Sequence, residues 1–272
     1  MATTTSGTAL ITGGSSGIGL ALAREFARAG FSLVLVARDA ARLDQQAHAL
    51  GAQLPVAVTA IAIDLSRPGG AQQLVDELQR RAIAVEVLVN NAGVGSYGPY
   101  ADSDEQAIGA LIALNIGALC TLTRLLLPGM IARGRGRILQ VASTAAFQPG
   151  PLMAVYSASK AFVLSFSEAL ADELGGSGVT VTCLCPGATK TGFAGRAGMT
   201  TSRIFTGALM DSDAVARAGF TACMAGRHLV IPGVMNRLLT LVVRFTPRRI
   251  VTRVARFMLE QVGASAGRTP GV

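Results

Sequence analysis

Tyr156 and Lys160 stand four residues apart in Tyr-Ser-Ala-Ser-Lys, in a chain with only three tyrosines and two lysines. On a helix, positions four apart share one face, so a phenol and an ammonium would meet there. A free tyrosine titrates near ~10, too high for proton transfer near neutrality. A cation about 4 Å away, at an effective dielectric of ~20, would favour the phenolate by up to ~4 kcal/mol. At ~1.36 kcal/mol per pKa unit, that brings the phenol within reach of neutral pH. The chemistry indicated is general acid–base transfer at an oxygen.

A second constellation lies at the start of the chain. Thr8-Ala-Leu-Ile-Thr12 reads as a buried strand running into Thr12-Gly-Gly-Ser-Ser-Gly-Ile-Gly19, and residues 17–30 read as a helix. A strand, a glycine turn and a helix N-terminus make a phosphate site, because glycine lets the backbone approach closely and the helix dipole favours negative charge. Gly13, Ser15, Ser16, Gly17, Ile18 and Gly19 are the candidate contacts. The next strand ends Val36-Ala37-Arg38-Asp39. Small Ala37 followed by Arg38 leaves room for a 2′-phosphate and supplies a cation, which favours NADP(H) over NAD(H). Asp39 is either a ribose ligand or the first-turn acid of the following helix. Asp64, with Leu65, follows a third strand and is either an acceptor for the adenine amino group or a helix-start acid. Asn90-Asn91-Ala92-Gly93 ends a fourth strand, at the carboxyl edge where parallel sheets bind ligands.

The elements that must hold these groups alternate along the chain. Further strands are expected at 31–36, 57–63, 87–90, 136–142, 179–184 and 228–231. Helices are expected at 39–51, from Ser66 and Pro68 onward, from about Asp104 to Ala132, and at 154–174. Short continuous apolar strands joined by helices indicate an α/β fold with a parallel sheet covered on both faces. The 272 residues, half of them hydrophobic, suffice for one large domain over 1–234. An irregular segment at 187–212 is expected to act as a substrate lid, and 235–272 as a basic amphipathic extension.

Composition narrows the function. The net charge is +8, with aromatics at 5%, no tryptophan and no zinc-finger spacing, so nucleic-acid binding is not expected. An anionic small molecule or a membrane surface fits better. Cys120, Cys183, Cys185 and Cys223 match neither zinc pairs nor a disulfide framework, and Cys183 and Cys185 are expected on opposite faces of a strand. His48 and His228 stand far apart, so no metal site is expected. No run of eighteen apolar residues suggests a spanning helix. The first residues lack a basic stretch followed by an apolar one, which makes the cytoplasm the expected compartment.

Taken together, these motifs resemble the classical short-chain dehydrogenase/reductase family, near its ketoreductases. The Gly-rich turn matches the family's Thr-Gly-x-x-x-Gly-x-Gly, and Asn90-Asn91-Ala92-Gly93 matches its Asn-Asn-Ala-Gly. Ser143 lies thirteen residues before Tyr156, and Pro186-Gly187 precedes Thr191, as in the family; the likeness spans about 7–192. It implies a Rossmann-type doubly wound, mostly parallel seven-stranded sheet in the order 3-2-1-4-5-6-7. Tyr156 would be the acid in reduction and the base in oxidation. Lys160 would lower its pKa and hold the nicotinamide ribose, and Ser143 would donate to the substrate oxygen. Asn115 would kink the long helix and hold a water leading from Lys160 to solvent. Thr189 and Thr191 would contact the carboxamide and pyrophosphate. The substrate would be a fairly apolar ketone, aldehyde or secondary alcohol, and the protein a homodimer or homotetramer joined through its long helices.

Tyr97, Tyr100, Phe147, Met153, Phe193 and Met199 are expected around the nicotinamide as an apolar pocket. In the tail, Arg249, Arg253 and Arg256 share one helical face while Ile250, Val254 and Phe257 line another. Such a helix either lies on an anionic membrane surface or packs on its own domain or a sister subunit. A cofactor-binding sensor or scaffold without turnover is the alternative to an enzyme.

Overall fold

A computed structural model describes residues 7–207 and 209–261. The start read for a targeting signal, Ala208 in the expected lid and residues 262–272 of the tail lie outside the described residues. Seven strands form one sheet: β1 Thr8–Thr12, β2 Ser32–Ala37, β3 Val58–Ala62, β4 Val87–Asn90, β5 Gly136–Val141, β6 Val179–Leu184 and β7 Leu229–Val230. Their order is β3-β2-β1-β4-β5-β6-β7, and every neighbouring pair is parallel.

The two-residue period of the strands builds two core layers. Ala9, Ile11, Leu33 and Leu35 face one side, where α1 (Gly17–Arg28), α2 (Ala40–Gln53) and α9 (Ser212–Met224) cover them. Leu10, Val34 and Leu88 face the other, under α3 (Gly70–Arg80), α5 (Leu119–Ala132) and α6 (Ala154–Glu173). A sheet buried on both faces needs apolar residues at nearly every position, which is why these strands read as unbroken apolar runs. All four cysteines are free thiols. Cys183 and Cys185 lie on the same face with Sγ atoms 3.7 Å apart, contrary to expectation, because residues two apart in a strand point the same way.

α3 begins at Gly70 rather than near Ser66. The Asp64 carboxylate accepts from Ser66 N at 2.9 Å and Ser66 Oγ at 2.6 Å, holding a turn ahead of the helix. The long helix starts as expected: Asp104 caps it by accepting from Ala107 N at 2.6 Å. It is not uniform. α4 (Glu105–Ile112) passes into a π-helical turn at Ala113–Ala118 and then into α5. Although it holds no unbroken apolar run of spanning length, Glu105–Ala132 is long enough and apolar enough, at a mean hydropathy of 1.9, to cross a membrane by length and composition. Here its Leu111, Leu119, Leu122 and Met130 are buried in the domain.

The 187–212 segment is more regular than expected. It carries α7 (Phe193–Ala197) and α8 (Arg203–Thr206), and a single parallel bridge joins Thr189 to Met210. After β7 the chain forms α10 (Val234–Phe245) and α11 (Arg248–Leu259), separated by Thr246-Pro247. Both faces anticipated for α11 stay exposed. A third stripe, Val251, Ala255 and Leu259, is the buried one.

Candidate active site

β1 delivers the chain to Gly13, whose φ of +67° a side chain would strain. Gly13 N and Gly14 N donate to Val36 O at 2.8 and 3.2 Å, fixing the turn against β2. Thr12, fully buried, ties it to the end of β4: its Oγ accepts from Asn91 N at 3.0 Å and Ala92 N at 2.9 Å and donates to Val89 O at 3.2 Å. The Asn91 amide returns a bond to Thr12 O at 2.9 Å. Gly13, Ser15, Ser16, Gly17 and Ile18 line a cleft of about 460 Å³ above the carboxyl ends of the strands. Gly19 does not. A Cβ there would collide with Gly13 O and Asn91 Nδ2, so its absence lets α1 press against the turn from below.

Arg38, Asp64, Leu65 and Asn91 line the same cleft. Asp39 is committed to α2, because its carboxylate accepts from Arg42 N at 3.0 Å as the helix cap. Sequence reasoning passed over Arg42. Its side chain reaches back along the first turn of α2, donates from Nε to Ser15 O at 3.2 Å and lines the cleft beside Arg38. The signal was there: an arginine three residues after the cap residue points at the preceding strand end. Burial raises the Asp64 carboxyl, but the Ser66 bonds and the Arg38 and Arg67 charges outweigh it and hold the group below its usual range.

Farther along, Ala92, Gly93, Pro186, Gly187, Thr189 and Thr191 line the walls. Thr189 donates to Gly187 O at 2.8 Å, and Thr191 Oγ caps α7 by accepting from Phe193 N at 3.2 Å. Ser143, at the end of β5, opens the 3₁₀ turn Thr144–Phe147 by accepting from Ala145 N at 3.1 Å. The first two turns of α6 bring Tyr156 and Lys160 to the same cleft.

Lys160 Nζ donates to Val141 O at 2.8 Å and lies 5.8 Å from the Tyr156 ring centre. The ammonium does not bring the phenol down to neutrality as the sequence suggested. Burial pushes Tyr156 up to about 12, with the Ser143 hydroxyl opposing. Burial also pushes Lys160 down to about 8, opposed by Cys183 and Cys185. Both groups leave water together, and the cost of charging each exceeds what the pair returns at this separation. The phenol therefore holds its proton at neutral pH, the state an acid catalyst needs.

Asn115 stands behind the cleft wall rather than in it. It sits in the π-helical turn, where its Oδ1 accepts from Val94 N at 3.0 Å and its Nδ2 donates to Val94 O at 2.9 Å and Ser159 Oγ at 3.1 Å. The extra residue of the π turn turns this amide onto the 93–94 backbone. A Cβ at Gly93 would come within 3.2 Å of Asn115 Oδ1 and 3.4 Å of Lys160 Nζ, so only glycine lets all three approach without displacement.

The far end of the cleft is apolar. Met153, Phe193 and Met199 line it, and Tyr97 packs just behind. Tyr100 does not take part: it opens a 3₁₀ turn after Pro99 and is 65% exposed. Phe147 packs instead with Leu119, Ala142 and Val163 beneath the sheet end. In their place stand Ile204 and Phe205 of α8 and Ala255, Met258 and Leu259 of α11. No local signal marked these, because their role depends on α11 folding back across the cleft. Tyr97 holds it there by donating to Leu259 O at 2.7 Å, and Arg203 donates to Phe257 O at 2.8 Å.

A dinucleotide fits these residues. The N-cap Ser16 makes no side-chain bond to the first turn of α1, the glycine turn keeps that end open, and Arg38 and Arg42 line the same cleft.

Comparison with known proteins agrees. The family described as short chain dehydrogenase matches residues 7–201. A short chain dehydrogenase of Pseudocercospora fijiensis is 37% identical over 185 residues, covering 67% of this chain and 60% of that protein. A very-long-chain 3-oxoacyl-CoA reductase of Bos taurus is 35% identical over 184 residues, covering 65% and 58%. The matched stretch thus spans less than two thirds of these curated relatives. Among solved structures, a short-chain dehydrogenase from Sphingobium yanoikuyae in complex with NADPH is 37% identical, with a TM-score of 0.79 over 88% of this chain and 93% of that one. With its glycine turn, Ser143, Tyr156 and Lys160 gathered along one cleft, the chain belongs to the short-chain dehydrogenase family.

Proposed function

We propose that this protein is an NADP(H)-dependent oxidoreductase that interconverts a fairly apolar ketone or aldehyde with its alcohol. One observation carries the reading: the half-buried Tyr156 phenol, whose ionisation its surroundings disfavour, lies between the open turn of α1 and an apolar chamber. The nicotinamide, when bound, supplies or takes the hydride. The chain handles the proton and the charge.

In reduction, the Tyr156 phenol donates its proton to the carbonyl oxygen as the C=O π pair moves onto that oxygen with hydride addition at the carbon, leaving phenolate. The Ser143 hydroxyl steadies the same oxygen by hydrogen bonding. Lys160 in its ammonium form stabilises the phenolate just formed, and Val141 O holds it in place. Oxidation runs the same steps backwards, with the phenolate as base.

Arg38 and Arg42 support the preference for NADP(H), and the structural relative bound to NADPH agrees with it. Phe193, 5.2 Å from the Tyr156 ring, with Met153 and Leu259, supports an apolar substrate, in line with the relative named for a 3-oxoacyl thioester. Pairing of copies through α4 and α5 is supported by Ile112 and Ile131, each 44% exposed on that helix.

Tyr156→Phe tests the reading. It removes the transferred proton and little else, so kcat falls by about 10²–10⁴-fold while NADPH affinity measured by fluorescence stays within about twofold. Unaltered turnover of a ketone that the parent protein reduces would refute the assignment.

A further inference from the structure

We infer that the outer surface of α10 and α11 docks this protein on an anionic lipid bilayer. α10 meets the rest of the domain along one stripe, Asn236, Thr240 and Val243. Asn236 secures it by donating to Pro232 O at 2.8 Å and Met210 Sδ at 3.2 Å. At 3.6 residues per turn, the side opposite that stripe carries Leu238, Leu241, Val242 and Phe245, which are 52%, 52%, 50% and 82% exposed. α11 repeats the pattern, with Val251, Ala255 and Leu259 inward and Ile250, Val254 and Phe257 left outside. Eleven of the fifteen large apolar side chains left exposed among the described residues fall in these two helices. A concentration of this kind marks a surface that meets another apolar phase.

Charge says which phase. Between Val234 and Leu259 there are six arginines and no acidic residue, so this hairpin holds six of the chain's net +8. Arg237 donates to Ile231 O and Arg256 pairs with Glu260. Arg244, Arg248, Arg249 and Arg253 form no ion pair among the described residues. On α11 the arginines flank the apolar strip, the arrangement in which an interfacial helix sinks its apolar side among acyl chains and sets its cations at the phosphates. A second copy is a poorer occupant, because two-fold pairing would bring both arginine sets together. Residues 262–272 are poorer still as a cover, having no apolar side chain larger than valine or proline.

The inner side of α11 lines the cleft through Ala255, Met258 and Leu259. A docked molecule therefore holds its apolar chamber against the acyl region and would draw its substrate from the bilayer. That corollary rests on the carbonyl chemistry proposed above; the docking does not.

Co-sedimentation of the full-length protein with vesicles tests it, using phosphatidylcholine alone and phosphatidylcholine mixed with phosphatidylserine. Binding is expected to the mixed vesicles and to be weak on the neutral ones. Leu238→Asp with Phe245→Asp should abolish it. Arg249→Gln with Arg253→Gln should weaken it about thirtyfold, from about fivefold per basic residue near an anionic surface. All these positions are exposed, so circular dichroism and NADPH binding should be unchanged. NADPH turnover of a water-soluble ketone, unchanged in the variants, separates failure of docking from failure of the catalytic reading. No sedimentation with either vesicle overturns the proposal. If Leu238→Asp with Phe245→Asp instead lowers the oligomeric state in light scattering and vesicle binding is absent, the face joins copies of the chain.

Discussion

Arg38→Ala is the sharpest probe of how the cleft recognises its dinucleotide. Arg38 follows Ala37, the last residue of β2, and lines the cleft. Asp39 is held on Arg42 N and does not compete for the ribose. A charge-assisted bond to a phosphate contributes about 1.5–3 kcal/mol, and the exposure of Arg38 puts it in the lower half of that range. A loss of about 1.5–2 kcal/mol corresponds to a rise of about 10–30-fold in the KM for NADPH. NADH has no 2′-phosphate, so its KM should hold. The Asp64 carboxyl should also rise, since Arg38 is one of the charges holding it down. Adding Arg42→Ala should deepen the NADPH loss and begin to affect NADH, because Arg42 also braces Ser15 O. Steady-state rates with both cofactors at saturating ketone and fixed low salt measure this. A change in the NADPH KM below about threefold, or a parallel change for NADH, would refute the assignment of Arg38 to the phosphate.

The pH profile follows from Lys160, whose ammonium is present below its value of about 8 and lost above it. The kcat/KM for carbonyl reduction should be level below that pH and fall above it, and residual activity in Lys160→Arg should lack the fall because arginine stays charged. A flat profile in the parent protein would count against the role of the lysine. Thr12→Val keeps the volume of the side chain but leaves the amides of Asn91 and Ala92 without their acceptor. Two stranded donors cost about 2–4 kcal/mol, to be read as lowered stability in urea titration together with weaker NADPH binding.

The sheet and its order were legible because β1, β2 and β4 are apolar between their end residues and their carboxyl ends carry the glycine turn, Arg38 and Asn91. Ser143, Tyr156 and Lys160 were legible because each lies just past a strand end or in the first two turns of a helix, where local spacing fixes direction. The missing parts depend on distant contacts. Nothing near Met258 or Leu259 announces that α11 returns over the cleft, since the contacts that fold it back come from Tyr97 and Arg203. Spacing alone made Tyr100 and Phe147 look like chamber residues; a turn after Pro99 and a packing site beneath β5 took them elsewhere. The titration of Tyr156 was misjudged for a third reason. Four-residue spacing sets which face a side chain occupies, and burial then decides how much a charge on that face costs.

Charge adds an outer latch to the cover of the chamber, beside the Tyr97 bond and the buried stripe of α11. Arg203 of α8 pairs with Glu260, just past α11, at 3.6 Å, and one bridge joins Ser202 to Gln261. Charges that are partly exposed, as this pair is, are partly screened over a Debye length of ~10 Å at 0.1 M salt. Ionic strength is therefore a dial on this latch: concentrated electrolyte slackens it and admits bulkier guests sooner, whereas the rigid floor of strand ends keeps the proton-transfer geometry unchanged.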